Sequence, residues 1–175
     1  MLKGIAILLT LFAPFASISH SYGQNLGLGI TLGNTSPRDF IHKISPNDDV
    51  QKKVLKYGSL YSKSFRHGFF GEYRLKSIKG LFNSRNKLIA LEVLRPQSEF
   101  NEWVERLLKD YELVSRNTPF VGDREIIVKN KDHYVIAHAP TSSFSMTIRY
   151  IDKQLFNKNN TVDHQSTSLY FSDSQ

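Results

Sequence analysis

The chain has 175 residues, 12% aromatic and 22% charged, and its 23 Lys and Arg exceed its 16 Asp and Glu for a formal net charge of +7. It contains no cysteine, which excludes disulfides, thiolate metal sites, cysteine nucleophiles and the lipid-modified cysteine of bacterial lipoproteins. A chain of this length can bury one core by packing alone.

Residues 1–23, "MLKGIAILLTLFAPFASISHSYG", place one cation (Lys3) before an apolar run from Ile5 to Ala16, followed by small residues. That order predicts a secretory signal peptide, cut after Ser19, Ser21 or Gly23. The run falls short of the ~20 apolar residues of a bilayer span, and Pro14 interrupts it, so no transmembrane anchor is expected after cleavage. The expected product is a periplasmic or secreted protein. It comprises one domain over 24–155 and a polar, partly disordered tail over 156–175 with a candidate edge strand at "LYFS" (169–172).

Within 24–155 the elements follow in order. Leu26, Leu28, Ile30 and Leu32 alternate with Gly27, Gly29, Thr31 and Gly33, a period of two that predicts a first strand. Ser36-Pro37-Arg38-Asp39 and Ser45-Pro46-Asn47-Asp48 each supply an N-cap, a proline at the first helical position and an acid in the first turn. Two short helices, about 37–44 and 46–56, are expected there. The pattern then turns to β from Tyr57 to Arg95. Phe69, Tyr73, Leu75 and Leu81 share one face and Glu72, Arg74 and Lys76 the other, with a break near Ser77–Lys79. "LIALEVL" (88–94) is apolar on both faces and reads as a central strand.

Ser98 opens the strongest helix, where Phe100, Trp103, Val104, Leu107, Leu108 and Tyr111 form one apolar stripe. Glu102 to Arg106 and Glu105 to Lys109 are four-residue pairs on its solvent side. "REIIVKN" and "HYVIAHA" flank a turn at Asn130–Asp132, and Phe144, Met146, Ile148 and Tyr150 alternate as a last strand. No internal repeat is visible beyond the two Ser-Pro caps. The sum is a single α+β domain. Its antiparallel sheet of about six to seven strands is expected to be covered on one face by two short helices and one long helix.

Motifs for chemistry are missing. The glycines at 27, 29 and 33 have the spacing G-x-G-x-x-x-G rather than that of a dinucleotide loop, and no lysine follows as in a phosphate loop. His133 and His138, five apart on one strand, face opposite ways, and no HExxH or G-x-S-x-G motif is present. No catalytic residue, metal or cofactor is expected.

The charge is uneven. From Lys43 to Lys87 eleven Lys and Arg stand against three acids, whereas from Leu88 onward ten stand against twelve. A solvated face is the plain reading of such a run. The functional one is a basic, aromatic-rich binding surface built from Lys52, Lys53, Lys56, Tyr61, Lys63, Arg66, Phe70, Arg74 and Lys76. Phe70 belongs to it because it falls on the polar face beside Glu72 and Arg74.

The stretch "LGITLGNTSPRDFIHKI" resembles the opening of small bacterial envelope modules, in which a short apolar strand precedes two helices and three antiparallel strands. The outer-membrane assembly lipoprotein BamE and the β-lactamase inhibitor proteins share that plan. The resemblance covers about 26–95 and echoes again in 98–151. The chain departs from the first in lacking a lipidation cysteine and from the second in lacking disulfides. The resemblance implies protein binding through the sheet or its loops rather than catalysis.

The expected function is therefore an exported, non-enzymatic binding protein of the inhibitor, immunity or envelope-assembly kind. Its expected partner is an acidic protein, or an anionic envelope component such as lipopolysaccharide or phospholipid. Nucleic acid is not an expected partner outside the cytoplasm, and a small envelope hydrolase is the remaining alternative. The oligomeric state is not legible.

Overall fold

A computed structural model describes residues 29–45, 49–66, 68, 74–157 and 167–172. The signal-like residues 1–23, together with Phe69, Phe70, Glu72 and Tyr73, lie outside the described residues.

The core of the protein is an antiparallel sheet of eight strands: β1 (Gln51–Leu55), β2 (Gly58–Ser64), β3 (Ser77–Phe82), β4 (Leu88–Pro96), β5 (Glu112–Asn117), β6 (Arg124–Lys129), β7 (His133–Ala139) and β8 (Ser145–Asp152). Their spatial order is β1-β2-β3-β4-β8-β7-β6-β5. Helix α1 (Pro37–Ile44) precedes the first four strands and α2 (Phe100–Asp110) precedes the second four. The chain thus builds a helix and a four-strand meander twice and joins the two meanders along β4 and β8. The duplication is one of topology. It left no repeat in the residues because each half needs only its own alternation of apolar side chains.

This corrects the expected α+β domain. The sheet has eight strands rather than six or seven, the longest helix among the described residues has eleven residues, and both sheet faces are covered. On the helix face, Phe40 and Ile44 of α1 and Phe100, Trp103, Val104 and Leu107 of α2 pack on Ile78, Phe82, Val93, Val135 and Ile148. On the opposite, tail face, α3 (Lys153–Asn157) and a 3-10 turn at Leu169–Phe171 lay Leu155, Phe156, Tyr170 and Phe171 over Leu60, Leu81, Ile136 and Ile151. The candidate edge strand at 169–172 is that 3-10 turn.

The expected helix over 46–56 is the edge strand β1 instead. Gln51–Leu55 pairs with β2 through the two-residue turn Lys56-Tyr57, with Leu55 opposite Gly58. Gly58 has φ +143°, and a Cβ there would stand 1.9 Å from the Phe82 carbonyl oxygen of β3. A hairpin this close to its neighbour needs glycine. Val54 then points to solvent on the sheet edge, 76% exposed, rather than inward from a helix.

The expected first strand also fails where it is described. Gly29 and Gly33 take φ +61° and +77°, so the backbone bends instead of extending. Thr31 N donates to Thr35 Oγ1 at 2.8 Å and Gly33 N to the Leu88 carbonyl at 2.7 Å. Ile30 is buried and Leu32 packs against the same core, so the apolar residues serve a turn.

Three smaller readings change. Leu81, expected on the face of Leu75, lies on the tail face, while Ile78 and Phe82 join Leu75 in the helix-face core, the phase changing where β3 begins at Ser77. Leu108 leaves the α2 stripe and is exposed. Phe144 precedes β8 and is exposed, whereas Met146, Ile148 and Tyr150 are buried. Strand β4, apolar on both faces, is central in the sheet.

Candidate functional site

Antiparallel register brings four connections to one end of the sheet. Ser64 faces Ser77, Ser77 faces Leu94, Leu94 faces Thr147, and Arg124 faces Ala139. The described part of the β2–β3 connection (65, 66, 68 and 74–76), the 3-10 turn Gln97–Glu99, the β5–β6 loop (118–123) and the β7–β8 loop (140–144) therefore share that end of the sheet as a rim.

The rim is braced by hydrogen bonds between loops. Gln97 donates from its backbone N to the Phe144 carbonyl at 3.0 Å and from Nε2 to the Pro140 carbonyl at 2.9 Å. Thr141 N donates to Asp123 Oδ1 at 2.7 Å, tying the β7–β8 loop to the β5–β6 loop. Asp123 Oδ2 also lies 3.7 Å from His138 Nε2. Burial pushes the His138 pKa down, against the pull of Asp123 and with the Arg149 charge adding to it. On the other flank, Lys76 Nζ donates to Ser145 Oγ at 2.6 Å, and Arg74 Nε stands 3.7 Å from Glu99 Oε1.

Three apolar side chains project from these braced loops. Phe120 is fully exposed, Phe144 is 92% exposed and Val121 is 78% exposed. Holding large apolar groups in water on anchored backbone is the usual mark of an interaction surface. Neither loop was a sequence candidate. The signal lies in "TPFVGD" (118–123), where Pro119 and Gly122 mark a loop and the two residues between them are apolar.

A groove of about 550 Å³ opens beside these tips, between the β5–β6 loop and the start of α2. Its lining includes Arg116 and Arg124 from the strands, Gln97 and Asn101 from the segment that opens α2, and the exposed Phe120 and Val121 of the loop. Arg116 lies opposite Ile126 and Arg124 opposite Ala139, which puts both on the helix face. The Arg124 guanidinium lies over the Phe100 ring, 4.6 Å from its centre, and Arg116 Nε donates to Thr118 Oγ1 at 3.3 Å. No carboxylate lines the groove.

The described residues of the expected basic patch are spread over β1, the β1–β2 turn, β2 and the rim. Lys52 and Lys53 are exposed on the β1 edge, and Lys56 lies in the β1–β2 turn at the end of the sheet opposite the rim. Lys52 caps the half-buried Tyr61 ring at 5.6 Å and Lys56 the Tyr57 ring at 5.3 Å. Tyr61 meets Phe82 edge-on at 5.4 Å, so it serves the core. Lys63 is ion-paired with Asp49 and donates to Ser45 Oγ. Arg66, Arg74 and Lys76 belong to the rim, with Arg66 and Arg74 exposed, and Phe70 lies outside the described residues. Register puts Lys56 at the end of β2 away from the rim, whereas Lys52, opposite Tyr61, and Lys63, opposite Ile78, stand nearer the rim end.

A second polar cluster sits on the tail face. Glu92 on β4 and Arg149 on β8 are paired in register and buried, with Lys79 Nζ 2.8 Å from Glu92 Oε1. Burial pushes the Glu92 pKa up, but Arg149 and Lys79 together hold it below the ordinary value. His133, on the helix face, contacts Tyr111 Oη at 2.9 Å through Nε2, and burial lowers its pKa to about 4. Among the described residues, no three of His, Asp and Glu stand where they could hold a metal ion, and no helix is long and apolar enough to cross a membrane. No protein-family model, curated protein or solved structure matches the chain.

Proposed function

We propose that the protein is a non-enzymatic protein-binding module that docks a partner through the loop rim. The observation that carries this reading is the projection of Phe120, Val121 and Phe144 from two hydrogen-bonded loops at one end of the sheet. Aromatic side chains fixed on rigid loops make effective anchors because little conformational entropy is left to lose on binding. The signal-like residues 1–23 support a working place in the periplasm or outside the cell.

The test is site-specific photocrosslinking in the producing cell, with a benzophenone residue at position 144 or, as a control on a distant exposed apolar residue, at Val54. One discrete adduct from position 144 and none from position 54 is the expected result. Equal adducts from both positions, or none from 144, would remove the rim as the docking surface.

A further inference from the structure

We propose that the groove between Arg116 and Arg124 is a seat for an acidic side chain of the partner protein, inserted beside the contact made by Phe120. The proposal rests on the protein-binding reading above and adds the chemistry of what is bound.

Both arginines line the groove without a carboxylate partner among the described residues. Elsewhere the protein pairs its buried or half-buried cations closely: Arg149 with Glu92, Arg95 with Glu99, Lys63 with Asp49. The Arg124 guanidinium carbon lies 4.6 Å from the centre of the Phe100 ring, and that contact restrains the side chain and lowers the entropy lost when a carboxylate binds. The nearest acid on the loop, Asp123, already accepts from Thr141 N and faces His138. Asn101 and Gln97 add amide groups to the lining, with Gln97 Nε2 already donating to the Pro140 carbonyl.

Two planar, permanently charged donors in a recess match a carboxylate, which accepts paired N–H bonds from a guanidinium. The exposed, apolar Phe120 and Val121 in the lining require an apolar neighbour next to that acid. A concave seat takes a projecting side chain, whereas a lipid surface is planar and presents no projection to fill it. An acidic-apolar protein segment is therefore the occupant that fits.

The test selects random twelve-residue displayed peptides on the immobilised full chain and measures the recovered peptides by fluorescence anisotropy. Recovered sequences should carry Asp or Glu beside an aromatic or aliphatic residue. Replacing that acid by its amide should weaken binding at least ~10-fold, as should Arg116→Gln or Arg124→Gln. Arg116→Gln lies on an exposed edge strand, so it reports on binding even if loss of the Phe100 contact unfolds the Arg124 variant. Arg116→Lys should recover part of the loss.

Recovery of no peptide, of peptides without acids, or of peptides indifferent to both arginines would overturn the seat. Sedimentation with vesicles of phosphatidylcholine and phosphatidylglycerol forms a separate arm. Vesicle binding that is lost in Arg116→Gln would replace the protein occupant with a lipid phosphate and overturn the proposal. Peptide binding that needs the arginines but survives Phe144→Ser, with no adduct from position 144, would leave the seat standing and remove the wider rim.

Discussion

Arg149 Nε donates to Glu92 Oε2 at 2.7 Å across the one strand pair that joins the two halves of the sheet. Glu92 lies on β4, the last strand of the first meander, and Arg149 on β8, the last strand of the second. Both are buried, and Lys79 and Thr167 extend the contact on either side. A charge pair in a buried seam specifies which strands meet and in what register, since a shift would strand both charges.

Removing one member should therefore cost more than the pair is worth. Glu92→Gln is expected to destabilise by about 3 kcal/mol, because Arg149 stays buried without its counter-charge. Glu92→Leu with Arg149→Met should be closer to the parent than either single change. Urea midpoints for Glu92→Gln, Glu92→Leu, Arg149→Met and the double variant check this, and additive losses in the double variant would contradict it.

Stability should fall with acid in a window set first by His133. Its pKa is depressed to about 4, so the folded protein holds it neutral while the unfolded chain takes up a proton below the ordinary value of 6.5. The contribution is full above pH 6.5 and declines as the pH falls toward 4, by roughly 3 kcal/mol in total. Glu92, held below its ordinary value of 4.5, retains its contribution until the pH drops further. Denaturant unfolding at pH 7.5, 6 and 4.5 measures the slope, and NMR titration of the His133 ring gives its origin. A ring that protonates near pH 6.5 would contradict the assignment.

The β1–β2 turn should not tolerate a side chain. Gly58→Ala must place a Cβ against the Phe82 carbonyl in a backbone region that alanine avoids. The expected loss is about 2 kcal/mol or more. Thermal unfolding reads it directly, and an unchanged midpoint would mean that the hairpin can shift away from β3.

The rim should behave in the opposite way. Phe120→Ser and Phe144→Ser remove side chains that bury little in the free protein, so stability should change by no more than about 0.5 kcal/mol. The crosslink from position 144 should be lost when Phe120→Ser is added. A large drop in unfolding temperature would place these residues in the fold rather than in binding.

Local sequence rules reached the elements whose pattern admits one reading. The cap of Ser36 and Pro37 made α1, with Ser36 Oγ accepting from Asp39 N at 3.2 Å. The apolar stripe of α2 and the alternation in "REIIVK" and "HYVIAHA" likewise became a helix and two strands. Charge composition singled out a run of cations between Lys43 and Lys87 but not which of them the fold would place near one another. Period and capping act within one turn of chain, so the residues alone could carry them.

Tertiary structure decided the rest. Val50, Val54 and Leu55 satisfy a helix as well as a strand, and only pairing with β2 selects the strand β1. Glycines that alternate like a strand face supply positive φ instead, because Gly33 must reach the Leu88 carbonyl. Whether an apolar residue is core or anchor depends on what lies over it, and nothing local separates exposed Phe144 from buried Met146. The rim exists only because strand order brings loops separated by up to about seventy residues to one end of the sheet, as the Lys76–Ser145 contact shows. Long-range register has no local signature, and it is register that assembled the site.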